Sequence, residues 1–504
     1  MDIADQLAAV IAVDPQAPAI AQDGVWDSWG HVQRVADGIS GQLAEQPADA
    51  AIGVITRNRV AIVSAVIGLL AARRAILTLN DMQSDAALAS EIDRLRPAVL
   101  IAVAEDWQRP GVAEAAARAG CHALLIERGP EPQVQLVHEG LPATGRPYFR
   151  AGPDCAISLK TSGTTGPPKR IEISYPGLSA SIAAVQSHHG SKDAEQVRLR
   201  AGVTIQMLAL AHTSAIQSVC TTMAAGRRLA LLDRFEPVAW ARTVRDYQVV
   251  TTGIPPAAIR MVLDSDIPAE WLRSLKAVRA GSAPLDPAVA EEFTRRYGVP
   301  VLQAYGATEF QGLASWTLKD YHAFHATKKG AVGRIHPGVE VRVVDADTQA
   351  VLATGSAGVL EVRTAQAAQG GASDWIRTSD LARYDDDGFL WILGRADGAI
   401  NRGGFKIDPN EVAATLGRHP AVGEAAVVAL PDRRLGHVPA AAVELAPGAA
   451  DPGEAALKSW VREQLEPYKV PVRIRIMTAL PRTAALKPDK RAIMRLLDEE
   501  VPAT

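Results

Sequence analysis

The chain has 504 residues, 48% of them hydrophobic and 22% charged, with a formal net charge of −3. That length exceeds what one hydrophobic core supports, so a large subdivided body and at least one smaller domain are expected. The near-neutral balance speaks against nucleic acid or an anionic membrane as partner, and Cys121, Cys155 and Cys220 show neither metal-ligand nor disulfide-framework spacing.

The opening stretch MDIADQLAAVIAVDPQ carries acids early and lacks a basic n-region with a cleavage site, which argues against a signal peptide. The longest apolar run, Val60 to Ala72, includes Ser64 and stops at Arg73-Arg74. It is too short for a bilayer and fits a buried helix. A soluble, cytoplasmic protein with three buried, reduced cysteines is the expectation.

Further along, short β-branched or apolar runs alternate with longer amphipathic ones, the grammar of βα units. A strand is expected near Ala156 to Leu159, followed by a loop and a helix from Gly177 to Gln186. Ala277 to Arg279 reads as another strand entering the loop Ala280 to Pro284. Asp286 then serves as N-cap with Pro287 at N1, and Gly298 as the stop. Val299 to Ala304 reads as a third strand, feeding the loop Tyr305 to Glu309. Loops at the carboxyl ends of strands are where open α/β sheets hold ligands.

After Gly330 the texture changes to period-two alternation with Gly- and Asp-rich turns, which suggests a small β-rich subdomain. A hinge is expected at residues 394–398, a helix at Pro409 to Gly417, and an ordinary surface turn at Gly448 to Gly453. The fold class is therefore α/β: a large N-terminal domain, 1–396, of α/β subdomains with that β-rich piece, and a C-terminal α+β domain, 397–504.

The segment AISLKTSGTTGPPKR (156–170) looks like a phosphate cradle, yet it is not a Walker A loop. The glycine required five residues after Gly163 is Pro168, and Arg170 stands where Ser or Thr is needed. Any nucleotide must be held differently. Taken in order, TSGTTGPPK (161–169), AGSAPL (280–285), YGATE (305–309), RTSD (377–380), GRADGAINRGGFKIDPNEV (394–412) and PRTAALK (481–487) make the sequence resemble the acyl-adenylate-forming superfamily. That group contains acyl- and aryl-CoA synthetases, peptide-synthetase adenylation domains and firefly-type luciferases. The resemblance covers the chain from about residue 20 to its end.

The resemblance implies attack of a carboxylate on the α-phosphate of ATP, giving acyl-AMP and pyrophosphate, then thioester formation with coenzyme A. Extra negative charge builds on phosphorus, so cations and N–H or O–H donors must aim there. Thr161, Ser162, Gly163, Thr164, Thr165, Gly166 and Lys169 would cradle the β- and γ-phosphates. Thr308 would meet the α-phosphate, with Glu309 and Thr161 beside Mg²⁺, a hard ion suited to oxygen ligands. Tyr305 and Gly306 would lie at the adenine, edged by Gly281, Ser282 and Ala283; Asp380 and Arg395 would hold the ribose. Lys487 would bridge the acid and the α-phosphate. His212 would border the acid and the thiol path, unless it is simply a packed core histidine. After a swing of the mobile C-terminal domain about the hinge at Asp397, Gly403 and Gly404 would flank the incoming thiol.

Three departures stand out. Arg170 follows Lys169 where the family usually has glycine, and is expected to point to solvent rather than add a phosphate contact. RTSD replaces the commoner R-T-G-D and leaves Asp380 in place. Leu486 occupies the position of a glycine; a positive φ there costs leucine roughly 1–2 kcal/mol. Since Lys487 is retained, adenylation is expected to survive, slowed.

No acidic residue occurs between Gln206 and Leu232, where amino-acid-activating members carry an aspartate. The expected pocket lining (Ala209, Thr213, Gly253, Ile254, Gly281, Ala304, Gly306 and Gly312) is small and apolar, which points to a hydrophobic carboxylic acid. Three readings stay open: an acid–CoA ligase, an adenylating enzyme that serves a carrier protein, and a non-catalytic nucleotide-binding relative. The resemblance implies a monomer or homodimer.

Overall fold

The computed structural model describes residues 1–498 apart from 142–146, 161–169, 189–195, 283–284, 368–373, 396–397, 399, 403–404, 433–434, 466 and 484–485, and the side chains of 395, 401, 405 and 406. Within these bounds the chain forms four sheets covered by helices.

The first body is a seven-stranded sheet whose centre is parallel: His122–Glu127, Val99–Ala102, Ile52–Ile55, Ile76–Leu79 and Cys155–Lys160, in that order. Ile52–Ile55, Ile76–Leu79 and Val99–Ala102 are buried at every position. Continuous apolar runs of this kind suit strands covered on both faces. The expected helix after residue 60 is Val60–Ala71, buried along all but its last residue. It packs against the sheet and against the helices Ile3–Ile11, Trp29–Gln42 and Thr213–Ala224, which is why its sequence is apolar all round.

The second body is a nine-stranded sheet. Its parallel end holds Thr251–Gly253, Ala277–Ala280 and Val301–Ala307. The rest is antiparallel: Gln311–Ser315, Gly333–Ile335, Phe389–Arg395, Ile376–Tyr384, Gly358–Thr364 and Val339–Val344. The β-rich region after Gly330 is thus a continuation of the same sheet, with Gly333–Ile335 bridging its two halves. The helix Pro287–Tyr297 starts and stops as its sequence requires: Asp286 accepts a hydrogen bond from the Ala288 amide, and Gly298 closes it in the left-handed region. A four-stranded sheet, absent from the sequence reading, joins Pro18–Gln22 in parallel to Arg227–Leu231.

The C-terminal region builds a five-stranded sheet around the long strands Val422–Asp432 and Gly436–Leu445. It is buried on both sides, as its alternation shows. Val427 packs with Val412, Leu416 and Val461 on one face; Ala426 and Val428 pack with Ile493 and Leu497 on the other. The helix Pro409–Gly417 has the expected bounds, capped by Asp408 with Pro409 in its first turn. The three cysteines are buried thiols, and no helix among the described residues is long and apolar enough to cross a membrane.

Candidate active site

The YGATE segment folds as a tight hairpin. Val301–Ala307 pairs with Gln311–Ser315, and a bulge lies between Tyr305 and Gly306. Tyr305 to Ala307 are therefore strand, and only Thr308 to Phe310 turn, a shorter loop than expected. The reason is steric: a Cβ on Gly306 would run into the carbonyl oxygen of Gln311, so only glycine lets the two strands close here. Gln311 turns the chain with φ of 57°.

The hairpin is fixed on two sides. Thr308 Oγ1 lies 2.8 Å from Thr213 Oγ1, at the start of helix Thr213–Ala224. The Tyr305 hydroxyl donates to the Asp380 carboxylate. Asp380 stands in strand Ile376–Tyr384, opposite the backbone of Arg395. Antiparallel pairing and the Tyr305–Asp380 hydrogen bond thus bring RTSD, Gly394-Arg395 and YGATE into one place. Gly281 lies against the Ala304 carbonyl, which a Cβ would approach to 3.1 Å. Ser282, with φ of 68°, turns its hydroxyl to within 3.5 Å of Ser214 Oγ. Glu309 is exposed beside this group.

His212 occupies the position before helix Thr213–Ala224, and its Nε2 is buried with no hydrogen-bond partner among the described residues. Burial, and then the charge of Lys487, push its imidazole below the usual histidine value. Lys487, itself exposed, is therefore near enough to this helix start for its charge to be felt there. Its loop is a small knot: Thr483 and Leu486 exchange backbone bonds with Lys487 and Thr483, and Arg482 is clamped between Glu424 at 2.7 Å and Glu444 at 3.1 Å. Leu486 has φ of 59°, the conformation a glycine would hold without strain. Its side chain packs on the apolar cluster that contains Ile254, Leu285 and Phe293, so the strained residue also docks the loop on the larger body.

Arg170 turns inward rather than to solvent, its side chain only 13% exposed. Its guanidinium donates to the carbonyls of Ser158 at 3.1 Å and Thr78 at 2.7 Å, and to Glu91 at 3.1 Å. Lys160, its cross-strand partner, meets the same Glu91 carboxylate at 3.2 Å. Against its burial, hydrogen bonding from Gln83 and the charges of Arg170 and Lys160 keep Glu91 below the ordinary carboxylate range. Sequence reasoning missed this because Glu91, on helix Asp85–Leu95, is distant in the chain.

Thr161, Ser162, Gly163, Thr164, Thr165, Gly166, Lys169, Ala283, Gly403 and Gly404 lie outside the described residues, as does the Arg395 side chain. The described part still converges: Gly281, Ser282, Tyr305, Gly306, Thr308, Glu309, Asp380, His212 and Lys487 gather around one hairpin. Exposed Glu309 is the described member of the expected Mg²⁺ pair. Also unforeseen is Arg279, a cation in the otherwise apolar strand Ala277–Ala280. That break in an apolar pattern was the available signal.

Comparison with known proteins agrees with this geometry. The family model described as AMP-binding enzyme matches residues 7–370, and its companion C-terminal domain matches 411–487. Arabidopsis thaliana 4-coumarate–CoA ligase-like 9 is 31% identical over 68% of this chain and 62% of its own length. Oryza sativa subsp. japonica 4-coumarate–CoA ligase-like 5 is 27% identical over 92% of this chain and 83% of its own. ATP-bound MatB from Rhodopseudomonas palustris shares the fold at a TM-score of 0.82 and 23% identity, over 99% of each chain. MenE from Bacillus subtilis, in complex with ATP and magnesium ion, does so at 0.76 and 20%, over 97% of this chain and 98% of its own.

Proposed function

This chain belongs to the AMP-binding enzyme family, and on that premise we propose that it is a carboxylic acid–CoA ligase acting on a hydrophobic acid. A carboxylate oxygen attacks the α-phosphorus of ATP and pyrophosphate leaves; the CoA thiol then attacks the acyl carbon and AMP leaves. The observation that carries this reading is the position of Lys487. A lysine from the C-terminal region, next to the Leu486 that packs on the larger body, lies near enough to His212 for its charge to act there, and His212 opens the helix whose Thr213 meets Thr308 of the hairpin.

That arrangement suits the first half-reaction. Two anions must meet, and a cation between them offsets their repulsion in a partly desolvated cleft. Thr308 supplies a hydroxyl towards the α-phosphate. Asp380, aimed by Tyr305, supplies acceptors for ribose hydroxyls. Glu309, with Thr161, is suited to hold Mg²⁺, which would neutralise phosphate charge when bound. His212, kept neutral, retains an Nε2 able to take the proton of the thiol. For the second half-reaction we propose that a C-terminal domain, 397–504, turns about the segment at Asp397 and brings Gly403 and Gly404 to the thiol path.

Incubation with ATP, Mg²⁺ and a panel of acids should give acid-dependent pyrophosphate exchange, and added CoA should give a thioester detectable by mass. Exchange without thioester would move the acceptor to a carrier protein. No exchange with any acid would defeat the ligase reading.

A further inference from the structure

The hairpin that carries Thr308 is held at its open end as well as at its tip. Ser315, the last residue of its second strand, pairs with Ala304. The Ser315 carbonyl oxygen lies 2.9 Å from His188 Nε2, and its hydroxyl 2.9 Å from His336 Nε2; the two ring centroids are 4.4 Å apart. Arg279, on strand Ala277–Ala280, is near enough for its charge to act on both imidazoles. Between the two ends, buried Gln311 donates to the carbonyls of Gln366 at 2.9 Å and Gly177 at 3.3 Å. Strand pairing and these bonds leave the turn from Thr308 to Phe310 little freedom.

What the backbone does not settle is the direction of one proton. A threonine hydroxyl rotates about its C–O bond, with one hydrogen to give and two lone pairs to accept. Thr308 Oγ1 stands 2.8 Å from Thr213 Oγ1, and either oxygen can be the donor. Neither hydroxyl has another partner among the described residues. When Thr308 donates to Thr213, its proton is turned away from any ligand. When Thr213 donates, the Thr308 proton is free for an acceptor in the cleft, and the bond that Thr308 receives polarises it. Phosphate oxygens are strong acceptors, so a bound phosphate selects the second arrangement.

The support behind Thr213 suits this task. It is the first residue of helix Thr213–Ala224, whose Ile216, Val219, Cys220 and Met223 lie in the core that covers the seven-stranded sheet. Four residues on, and so on the same helix face, Gln217 donates to Ser181 and Gln311. The helix therefore meets the hairpin twice. At Gln217 the contact is to a buried glutamine and acts as a fastening. At Thr213 it is to half-buried Thr308, which a ligand can reach.

Resting on the reading of this hairpin as the α-phosphate site, we propose that Thr213 is a positioning residue for adenylation. Its hydroxyl donates to Thr308 and thereby turns the Thr308 proton onto the α-phosphate as negative charge builds there. This differs from a wall of the acid pocket, and the two roles separate kinetically.

The test follows hydroxylamine-trapped acyl-AMP formation by the full-length protein with ATP, Mg²⁺ and the best-used member of a panel of straight-chain and aryl carboxylic acids. The variants are Thr213→Val, Thr213→Ser, Thr308→Val and the double valine variant. Thr213→Val keeps the shape and loses the hydroxyl; it should lower kcat ~10-fold and change the KM of the acid by less than ~2-fold. Thr213→Ser should restore kcat to within ~2-fold of wild type. Once Thr308 is valine, Thr213→Val should cost less than ~2-fold more. Losses that multiply in the double variant, or an effect confined to the KM of the acid, overturn the proposal. Calorimetric titration with ATP and Mg²⁺ separates it from the ligase reading. If no acid is adenylated but Thr213→Val weakens ATP binding ~3-fold or more, with nothing added beside Thr308→Val, only the ligase reading falls. Indifference of both kcat and ATP binding to Thr213→Val defeats this one.

Discussion

The reacting hairpin and the polar group around Ser315 are built on opposite principles. At the reacting end stand three non-glycine residues in the left-handed region: Ser282 and Leu486 between elements, and Gln311 at the first position of its strand. Around Ser315, Arg279 and Ser315 sit in strands, and His188 closes a helix, with no such strain in any of the four residues there, His336 included. Strained turns have few alternatives and hold donors at defined points. Regular elements hold a side chain by packing. The difference teaches two ways of placing polar groups: a turn fixes them by backbone geometry, while a sheet face fixes them by register and packing.

The largest expected effect would break the reacting end. Lys487→Ala should cut pyrophosphate exchange by ~10²–10³-fold, yet change thioester formation from supplied acyl-AMP by only a few-fold. Unchanged exchange would remove Lys487 from the first step.

The next bears on the group around Ser315. In the folded chain burial, then His188 and Arg279, hold His336 at about 4, against about 6.5 for an ordinary histidine. The unfolded chain therefore binds the proton more readily. Stability from this group is complete above about pH 6.5 and is lost as the pH falls towards 4, by roughly 3 kcal/mol. Urea unfolding of wild type and His336→Gln at pH 7 and pH 4.5 checks this: the wild type should lose more on acidification, and parallel losses would refute the assignment.

Tyr305→Phe removes the donor to Asp380 and should raise the KM for ATP ~5-fold, about 1 kcal/mol, with kcat nearly unchanged. The smallest effect is expected at Leu486→Gly. It relieves about 1 kcal/mol of backbone strain and removes an apolar contact of similar size. Tm should hardly move, and exchange should change less than 3-fold. A tenfold loss would show that docking of the lysine loop outweighs its strain.

The same contrast explains what was legible in the sequence. Helix Pro409–Gly417 and the cap at Asp286 could be read because capping depends on neighbours within a turn. The reacting end was legible as short motifs, each holding its own turn. Positions 188, 315 and 336 carry no local signature, and 279 only the break it makes in an apolar strand; helix packing and strand register assemble them. For the same reason the extension of the nine-stranded sheet past Gly330 was read as a separate β-rich piece, and Arg170 was placed in solvent although Glu91 holds it inside.

That carboxylate has a wider consequence. Lys160 and Arg170 are the residues on either side of positions 161–169, they face each other across the ladder, and both grip Glu91. A single acid on another helix therefore rivets the two stems from which the glycine-rich segment springs. Without it, two like charges would confront each other at the root of that segment and push its stems apart.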